Sequence, residues 1–257
     1  MTHEAITVHS LLDNKRLVAF DLDGTLVDSV PDLAAALEQT LAAEGLARPT
    51  RQAVAGWVGN GVPKLVERGL AWALEQPVDE LNETLKTRSQ AAFMAHYGAA
   101  PYRLTQLYPG VTETLSALGQ AGFVRVLITN KPERFIAPLL AHFGLEEAFA
   151  LCLGGDSLAR KKPDPLPLTH AAATFGVPPG ACVMVGDSRH DMGAGRAAGF
   201  ATAGLTYGYN HGEPIARSEP DALLDSLAEL LSPTSAPPSA PHSTPCFTSH
   251  ATRTVRR

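Results

Sequence analysis

The stretch LVAFDLDGTL, residues Leu17–Leu26, decides the fold of this chain. Its first four residues form an unbroken apolar run, which is typical of a strand buried on both faces of a parallel sheet. Asp21 and Asp23 follow directly, and Gly24 then permits a sharp turn. Because ligands bind beyond the carboxyl ends of strands in open α/β sheets, the two carboxylates stand where a site is expected. The two aspartates could instead simply begin a turn, and this stretch alone does not separate the two interpretations.

Four further apolar runs continue the pattern, with helical segments between them. The predicted strands after the first are Phe123–Ile128, Ala150–Leu153, Ala181–Val185 and Phe200–Leu205. The predicted helices are Val111–Gln120, Glu133–Phe143, Leu166–Phe175 and Asp191–Ala198, the last ending at Gly199. Strands that alternate with helices indicate an α/β fold with a doubly wound, Rossmann-like parallel sheet and right-handed crossovers.

Residues 31–105 interrupt this alternation, because they contain no convincing strand pattern. Leu33, Leu37 and Leu41 share one helical face, and Val62–Leu74 and Leu81–Tyr97 continue with residues that favour helices. The sequence therefore predicts a core domain made of residues 1–30 plus 106–231, with an α-helical cap domain, residues 31–105, inserted after the first strand.

The composition excludes several classes of protein. The chain has 257 residues, is 45% hydrophobic and has a formal net charge of −5, so the basic patch of a nucleic-acid binder is missing. No apolar run reaches the roughly 18 residues that a membrane span needs, and no secretory signal pattern opens the chain. Three widely spaced cysteines fit a reducing compartment, and we expect a cytoplasmic protein. Residues 232–257 hold five Pro, five Ser and five Thr, which predicts a disordered tail.

Polar residues follow the second, third and fourth strands at the same edge of the predicted sheet. These residues are Thr129 and Asn130 after the second strand, Lys161 and Lys162 after the third, and Asp187 with Asp191 after the fourth. Carboxylates that converge at one edge repel one another unless a cation neutralises them. Oxygen ligands of this kind favour a hard divalent ion, so the sequence predicts a Mg²⁺ site.

This set of residues resembles the haloacid dehalogenase superfamily of phosphohydrolases over residues 17–231. The resemblance rests on the segments Asp21–Thr25, Thr129, Lys162-Pro163 and Gly186–Asp191, which occur in order on successive strand ends. It implies that Asp21 is the nucleophile that forms an aspartyl-phosphate. Asp23 is then the general acid that protonates the leaving alkoxide and later the base that activates water.

The same resemblance implies roles for the remaining residues. Mg²⁺ is expected on Asp21, the main-chain carbonyl of Asp23 and Asp187, with Asp191 beside them. Thr129 and the main-chain N–H of Asn130 are expected to donate to phosphoryl oxygens, and Lys162 to stabilise the transferred group and restrain Asp21.

Some of the neighbouring residues leave alternatives open. Asp191 could orient Lys162 or a metal-bound water, could favour the start of its helix, or could do both. Lys161 competes with Lys162, and the adjacent Pro163 favours Lys162. Arg189 and His190 are interpreted as surface residues.

Several loops narrow the resemblance to the phosphoglycolate phosphatases within the superfamily. They are Thr129–Pro132, Gly154–Asp156, Gly186–Arg189 and Gly204–Asn210, together with Gly56–Gly61 in the cap. The resemblance implies a small phosphorylated metabolite as substrate and a monomer or homodimer. Gly59, Asn60 and Gly61 are suited to bind the second anion of 2-phosphoglycolate, or form only a turn between helices. A phosphatase of sugar or amino-sugar phosphates, a phosphomutase and a non-catalytic relative are the alternatives.

Overall fold

The computed structural model describes residues 8–99 and 101–231. The strands are β1 (Leu17–Phe20), β2 (Val27–Asp28), β3 (Gln106–Leu107), β4 (Val124–Ile128), β5 (Leu151–Leu153), β6 (Cys182–Gly186), β7 (Ala201–Leu205) and β8 (Ala222–Leu224). The helices are α1 (Val30–Ala43), α2 (Arg51–Ala55), α3 (Val62–Leu74), α4 (Glu83–Ala99), α5 (Val111–Gln120), α6 (Ile136–His142), α7 (Leu166–Thr174) and α8 (Arg189–Ala198). The predicted tail, residues 232–257, lies outside the described residues.

Six strands form one parallel sheet in the order β5-β4-β1-β6-β7-β8. β1 lies in the middle, where Leu17 pairs with Val124 of β4 and with Cys182 of β6. Strand order reverses at β1, because the chain adds strands first on one side and then on the other. The carboxyl end of β1 is therefore the switch point of the sheet, where a ligand site is expected.

Helices cover both faces of this sheet, and the side chains of β1 alternate between them. Val18 and Phe20 pack with Leu115 of α5 in one buried cluster. Leu17 and Ala19 pack in the other, where Leu168 belongs to α7 and Ala194 to α8. The sequence-based assignment of a doubly wound α/β core is confirmed, and a strand with apolar residues at every position is explained by burial on both faces.

The helices α1 to α4 form a third apolar cluster of their own. Leu37 and Leu41 of α1 pack there with Val66 and Leu70 of α3 and Phe93 of α4. A Cβ on Gly69 would press on Leu37, which explains a glycine inside α3. These helices are inserted between β2 and β3, and they form the helical cap of the fold.

Two short antiparallel strands join the cap to the core. Val27 of β2 pairs with Leu107 of β3, so the chain enters and leaves the cap side by side. The buried Asp32 carboxylate accepts hydrogen bonds from the N–H groups of Leu104 and Thr105 and from the Thr105 hydroxyl at 2.6–3.0 Å. These bonds fasten the second connection to the first turn of α1.

The structure also contains elements that the sequence reading missed. β2, β3 and β8 have only two or three residues each, too few for a period to emerge. The five-residue helix α2 was missed for the same reason. The helix predicted as Asp191–Ala198 starts two residues earlier, at Arg189, and the one predicted as Glu133–Phe143 begins with a 3₁₀ turn. Among the described residues, no helix is long and apolar enough to cross a bilayer.

Candidate active site

Asp21 is held in place where β1 ends. Its N–H donates to the Val185 carbonyl at 3.0 Å, which continues the pairing of β1 with β6, and its side chain is buried. The chain then turns, with the Gly24 N–H donating to the Val27 carbonyl at 2.8 Å. Gly24 has a φ of +90°, and a Cβ there would collide with the Asp187 carboxylate. Glycine is thus required both for the turn and for the close approach of Asp187.

Three buried carboxylates converge at this sheet edge: Asp21, Asp187 and Asp191 can each place one oxygen within 4.8 Å of the others. Burial, in part offset by Lys162, raises the pKa of Asp21 to about 6. Burial and then repulsion by Asp191 and Asp21 raise the pKa of Asp187 to about 8. The cluster therefore binds protons more tightly than ordinary carboxylates do, and a divalent cation would relieve the same repulsion.

Lys162 is enclosed by the carboxylates. Its Nζ lies 2.9 Å from Asp21 Oδ1 and 2.6 Å from Asp191 Oδ1, and it donates to the Ile128 carbonyl at 2.5 Å. Desolvation alone would lower its pKa, but Asp191 and Asp21 outweigh burial and raise it, so the side chain is an ammonium. The neighbouring Lys161 instead donates to the Asn60 carbonyl at 3.0 Å. Of the two lysines, only Lys162 touches the carboxylate cluster.

Asp191 makes contacts that fit two of its predicted roles, one with Lys162 and one at the start of its helix. One oxygen pairs with Lys162, and the other accepts hydrogen bonds from the N–H and the hydroxyl of Ser188 at 3.0 and 2.7 Å. Ser188 precedes the first residue of α8, so this contact closes the start of that helix. Asp191 thus orients Lys162 and begins the helix at the same time.

Asp23 turns away from the carboxylate cluster. Its two oxygens lie 3.0 and 3.3 Å from Lys131 Nζ, at the end of β4. Lys131 is buried, and although desolvation lowers its pKa, Asp23 and Tyr97 outweigh that effect and raise it. Asp23 and Asp21 therefore pair with different lysines, Asp23 with Lys131 and Asp21 with Lys162. The sequence reading assigned no role to Lys131, although the residue stands directly after Thr129 and Asn130.

Thr129 and Asn130 lie at the end of β4 between these two lysines. Both are buried, and the Thr129 N–H donates to the Leu153 carbonyl. The Asn130 side chain donates to the Gly59 carbonyl at 2.9 Å and to the Lys162 carbonyl at 3.0 Å. The Asn130 amide thereby joins the cap loop to the core.

The cap loop closes over the site, but its three predicted binding residues do not face the same way. Gly59 and Gly61 line the cavity between cap and core, with φ of +112° and +83°. The Asn60 side chain is not among the lining residues, because its Nδ2 lies 2.6 Å from His190 Nε2. This contact corrects the sequence-based assignment of His190 to the surface, since the ring is half-buried. Burial, and then the nearby His211, lower its pKa to about 4, so the ring is neutral and can accept this bond.

The enclosed cavity has a polar floor and an apolar roof. Its lining residues are Asp21, Asp23, Thr129, Asn130, Lys131 and Pro132 of the core, with Leu33, Val58, Gly59, Gly61, Val62, Leu65 and Tyr97 of the cap. Of the seven core residues predicted for the site, Asp21, Asp23, Thr129 and Asn130 line the cavity, whereas Lys162, Asp187 and Asp191 lie behind them. A small polar molecule would therefore meet most of its hydrogen-bonding groups on the core side, with the Tyr97 hydroxyl as the exception on the cap side.

Residues after β7 support the site from behind. The Tyr209 N–H and the Thr25 hydroxyl each donate to Asp187, at 2.7 and 2.8 Å. A Cβ on Gly208 would collide with the Asp187 side chain, so this loop must pass close to it. The Tyr209 hydroxyl donates to Asp28 and accepts from the Ser29 N–H at the start of the cap.

The comparison with family models defines the class of this protein. A model described as haloacid dehalogenase-like hydrolase matches residues 15–199. The chain belongs to the haloacid dehalogenase-like hydrolases, as the sequence motifs indicated.

Individual relatives are named for one activity. The chain is 45% identical to the phosphoglycolate phosphatase of Haemophilus influenzae over 206 residues, which are 80% of this chain and 92% of that protein. It is 49% identical to the phosphoglycolate phosphatase of Pseudomonas syringae pv. tomato over 207 residues, 80% of this chain and 74% of that protein. A crystal structure of a predicted phosphoglycolate phosphatase from Haemophilus somnus superposes with a TM-score of 0.81 at 40% identity, covering 85% of this chain and 97% of the other. The narrower resemblance seen in the loops is therefore confirmed.

Proposed function

We propose that this protein is a Mg²⁺-dependent phosphomonoesterase that hydrolyses 2-phosphoglycolate to glycolate and phosphate through an aspartyl-phosphate. The observation that carries the proposal is the pairing of the buried Asp21 with Lys162 beside Asp187 and Asp191. A carboxylate fixed by an ammonium at the switch point of the sheet is in place to act as a nucleophile. The activity named for the relatives supports the choice of substrate.

In the first chemical step, an oxygen of Asp21 attacks the phosphorus atom in line with the leaving oxygen. The new Asp21 O–P bond forms as the bond from phosphorus to the glycolate oxygen breaks, and Asp23 gives its proton to that oxygen. Lys162 restrains Asp21 and contributes a positive charge near the transferred group. The Thr129 hydroxyl and the Asn130 N–H donate to its oxygens.

In the second step, Asp23 acts as a base. It removes a proton from a water molecule, whose oxygen attacks phosphorus and breaks the bond to Asp21. Phosphate leaves, Asp21 is again a free carboxylate, and Asp23 holds the proton for the next cycle. Because Asp23 pairs with Lys131 and lies outside the carboxylate cluster, its carboxyl group is separate from the residues that hold Asp21.

The donor set fits Mg²⁺, because the three buried carboxylates lie close enough to share one ion, and burial and mutual repulsion raise the pKa values of Asp21 and Asp187. Asp21 and Asp187 would hold the ion together with the main-chain carbonyl of Asp23, whose side chain contacts Lys131, and Asp191 would lie beside them, because its oxygens already contact Lys162 and Ser188. When bound, the ion offsets the repulsion between the Asp21 carboxylate and a phosphate dianion.

The cap contributes enclosure in this proposal. Residues 31–105 act as the cap domain, and residues 1–30 plus 106–231 as the catalytic core. The aliphatic side chains of the cap, Leu33, Val58, Val62 and Leu65, exclude water from the cavity above Asp21. A cavity walled by aliphatic groups suits a two-carbon substrate better than a ring that carries many hydroxyls.

A substrate panel tests the function. Purified full-length protein is assayed for phosphate release with and without Mg²⁺ on 2-phosphoglycolate, hexose phosphates and amino-sugar phosphates. We expect a metal-dependent activity that is highest on 2-phosphoglycolate. A preference for a sugar phosphate by orders of magnitude would reject the substrate, and an isomerised sugar phosphate in place of free phosphate would reveal a mutase.

The matched test of the mechanism is Asp21→Asn, which keeps the shape of the side chain. Loss of a nucleophile should lower kcat/KM by roughly 10⁴-fold or more, while circular dichroism and thermal melting stay near those of the wild type. Undiminished hydrolysis by this variant would exclude Asp21 as the nucleophile.

A further inference from the structure

Lys131 is the single cation among the residues that line the enclosed cavity. Its side chain is only 2% exposed, although a lysine normally keeps its ammonium in water. The ammonium has three donors, and Asp23 is the carboxylate it contacts. A positive charge is thus stored beside the reaction centre with capacity for a further acceptor.

The position of Lys131 matches the geometry of a two-carbon substrate. In the proposed function Asp23 hydrogen-bonds the oxygen that leaves with the organic group. In 2-phosphoglycolate the carboxylate carbon is two bonds from that oxygen, so the carboxylate must lie close to whatever neighbours Asp23. Lys131 Nζ lies 3.0 Å from Asp23 Oδ1 and is that neighbour.

The cap places a second donor at the same point. The Tyr97 ring centroid, on α4, is 4.7 Å from Lys131 Nζ, and Tyr97 lines the cavity. Its hydroxyl is buried and interacts with the Lys131 ammonium, but among the described residues no hydrogen bond of 3.5 Å or less reaches it. A buried hydroxyl without a short hydrogen bond is stabilised when a ligand supplies one. Asn60, by contrast, already bonds His190.

We propose that Lys131, assisted by the Tyr97 hydroxyl, binds the carboxylate of the substrate and so selects phosphoesters whose organic group carries an acid next to the phosphate-bearing carbon. The inference deepens the proposed function and rests on it. The sequence predicted that Gly59, Asn60 and Gly61 of the cap bind the substrate carboxylate. The inference assigns that contact to Lys131 of the core instead. The cap then contributes one hydroxyl and an apolar enclosure to this contact.

The test compares two substrates of equal length that differ in the acid. 2-Phosphoglycolate and 2-hydroxyethyl phosphate are each assayed with Mg²⁺ on the full chain, and the selectivity is the ratio of the two kcat/KM values. Lys131→Met keeps the length of the side chain without its charge, whereas Lys131→Arg keeps the charge. Tyr97→Phe removes only the hydroxyl. Lys64→Met is the control, since Lys64 is an exposed residue of α3 that pairs with Glu67.

We expect Lys131→Met to lower the selectivity about 30-fold or more, mainly through a higher KM for 2-phosphoglycolate. Because Lys131 also touches Asp23, both activities should fall, but unequally. Lys131→Arg should restore part of the ratio, Tyr97→Phe should lower it about threefold to tenfold, and Lys64→Met should keep it.

An equal loss on both substrates would overturn the inference, because it would mean that Lys131 only orients Asp23. If Lys131→Met does not fold, Lys131→Gln takes its place as the variant without the charge, and an unchanged ratio in both Lys131→Gln and Tyr97→Phe would also overturn the inference. A wild-type enzyme without preference for the acid would instead reject the proposed function, so the two failures are distinguishable.

Discussion

The core and the cap bury different kinds of side chains around the same cavity. At the sheet edge of the core, Asp21, Lys162 and Asp191 are buried and joined by ion pairs of 2.6–2.9 Å. The interior of the cap is an apolar cluster, and what it presents to the cavity is aliphatic side chains, two glycines and one tyrosine. The charged side chains of the site follow the ends of strands, so the sheet fixes their positions, whereas the cap helices determine the shape of the cavity. Changes in the two regions should therefore have separable effects.

The largest effect on stability is expected from Lys162→Met in the core. Removing the ammonium leaves Asp21 and Asp191 buried without their partner, which costs about 3–5 kcal/mol of unfolding free energy. Turnover should fall by about 10³-fold, because Asp21 loses the group that restrains it. Denaturant unfolding and steady-state kinetics measure the two effects.

The neighbouring Lys161→Met is the matched control for this prediction. Lys161 is half-buried and donates to a main-chain carbonyl of the cap, so its loss should cost about 1 kcal/mol or less. If both variants lose the same free energy of unfolding, the ion pairs of Lys162 do not stabilise the core as predicted.

An effect of intermediate size is expected when the stability of the fold is measured at different pH values, with and without Mg²⁺. Folding raises the pKa of Asp21 from 3.8 to about 6 and that of Asp187 from 3.8 to about 8. Between about pH 4 and about pH 8, the folded chain therefore binds more protons at these two groups than the unfolded chain does. The contribution of this pair to the stability of the metal-free protein must then fall as the pH rises from about 4 to about 8. Mg²⁺ competes with the same protons, so its stabilising effect must grow over that range.

Thermal melting with and without Mg²⁺ measures this effect. At about 100 times its Kd, Mg²⁺ should raise the melting temperature by about 5–10 °C at pH 8 and by much less at pH 5. Asp187→Asn should remove most of the pH dependence of the shift. A shift of the same size at both pH values would contradict the assignment of these carboxylates to the ion.

The smallest effect is expected from Asn60→Ala in the cap. The variant loses the hydrogen bond to His190, which weakens the contact of the cap with the core by about 0.5–1.5 kcal/mol. KM should rise about twofold to tenfold while kcat stays nearly constant. Asn82→Ala is the control, because the Asn82 side chain accepts a hydrogen bond from the N–H of Leu85, inside the cap. A large drop in kcat for Asn60→Ala would show that the cap takes part in the chemistry.

The core could be predicted from the sequence because its signals are local. The apolar run Leu17–Phe20 is a strand with those same bounds, and Cys182–Gly186 lies within one residue of its predicted range. The reversal of strand order at β1 then brings Asp21 and Asp187 to one edge without further information. Lys162 stands among them for the same reason, because β5 lies beside β4.

What the sequence did not predict are contacts between distant segments. Lys131 meets Asp23 across 108 positions, and His190 meets Asn60 across 130. The first pair depends on the loops that follow the neighbouring strands β1 and β4, and the second on how the cap packs against the core. No hydrophobic period encodes either contact. β8 was missed because only three residues form it and Leu223, its central one, is 49% exposed, so the strand has no apolar run.

The pairing of β2 with β3 has a consequence for how new specificities can arise on this scaffold. Since Val27 and Leu107 lie opposite each other on paired strands, about 80 intervening positions begin and end at nearly one point in space. A segment tethered in this way can be shortened, lengthened or exchanged for another while the order of the sheet is preserved. Grafting a foreign lid between these two strands is therefore a route to enzymes that keep the same reaction and accept a different organic group.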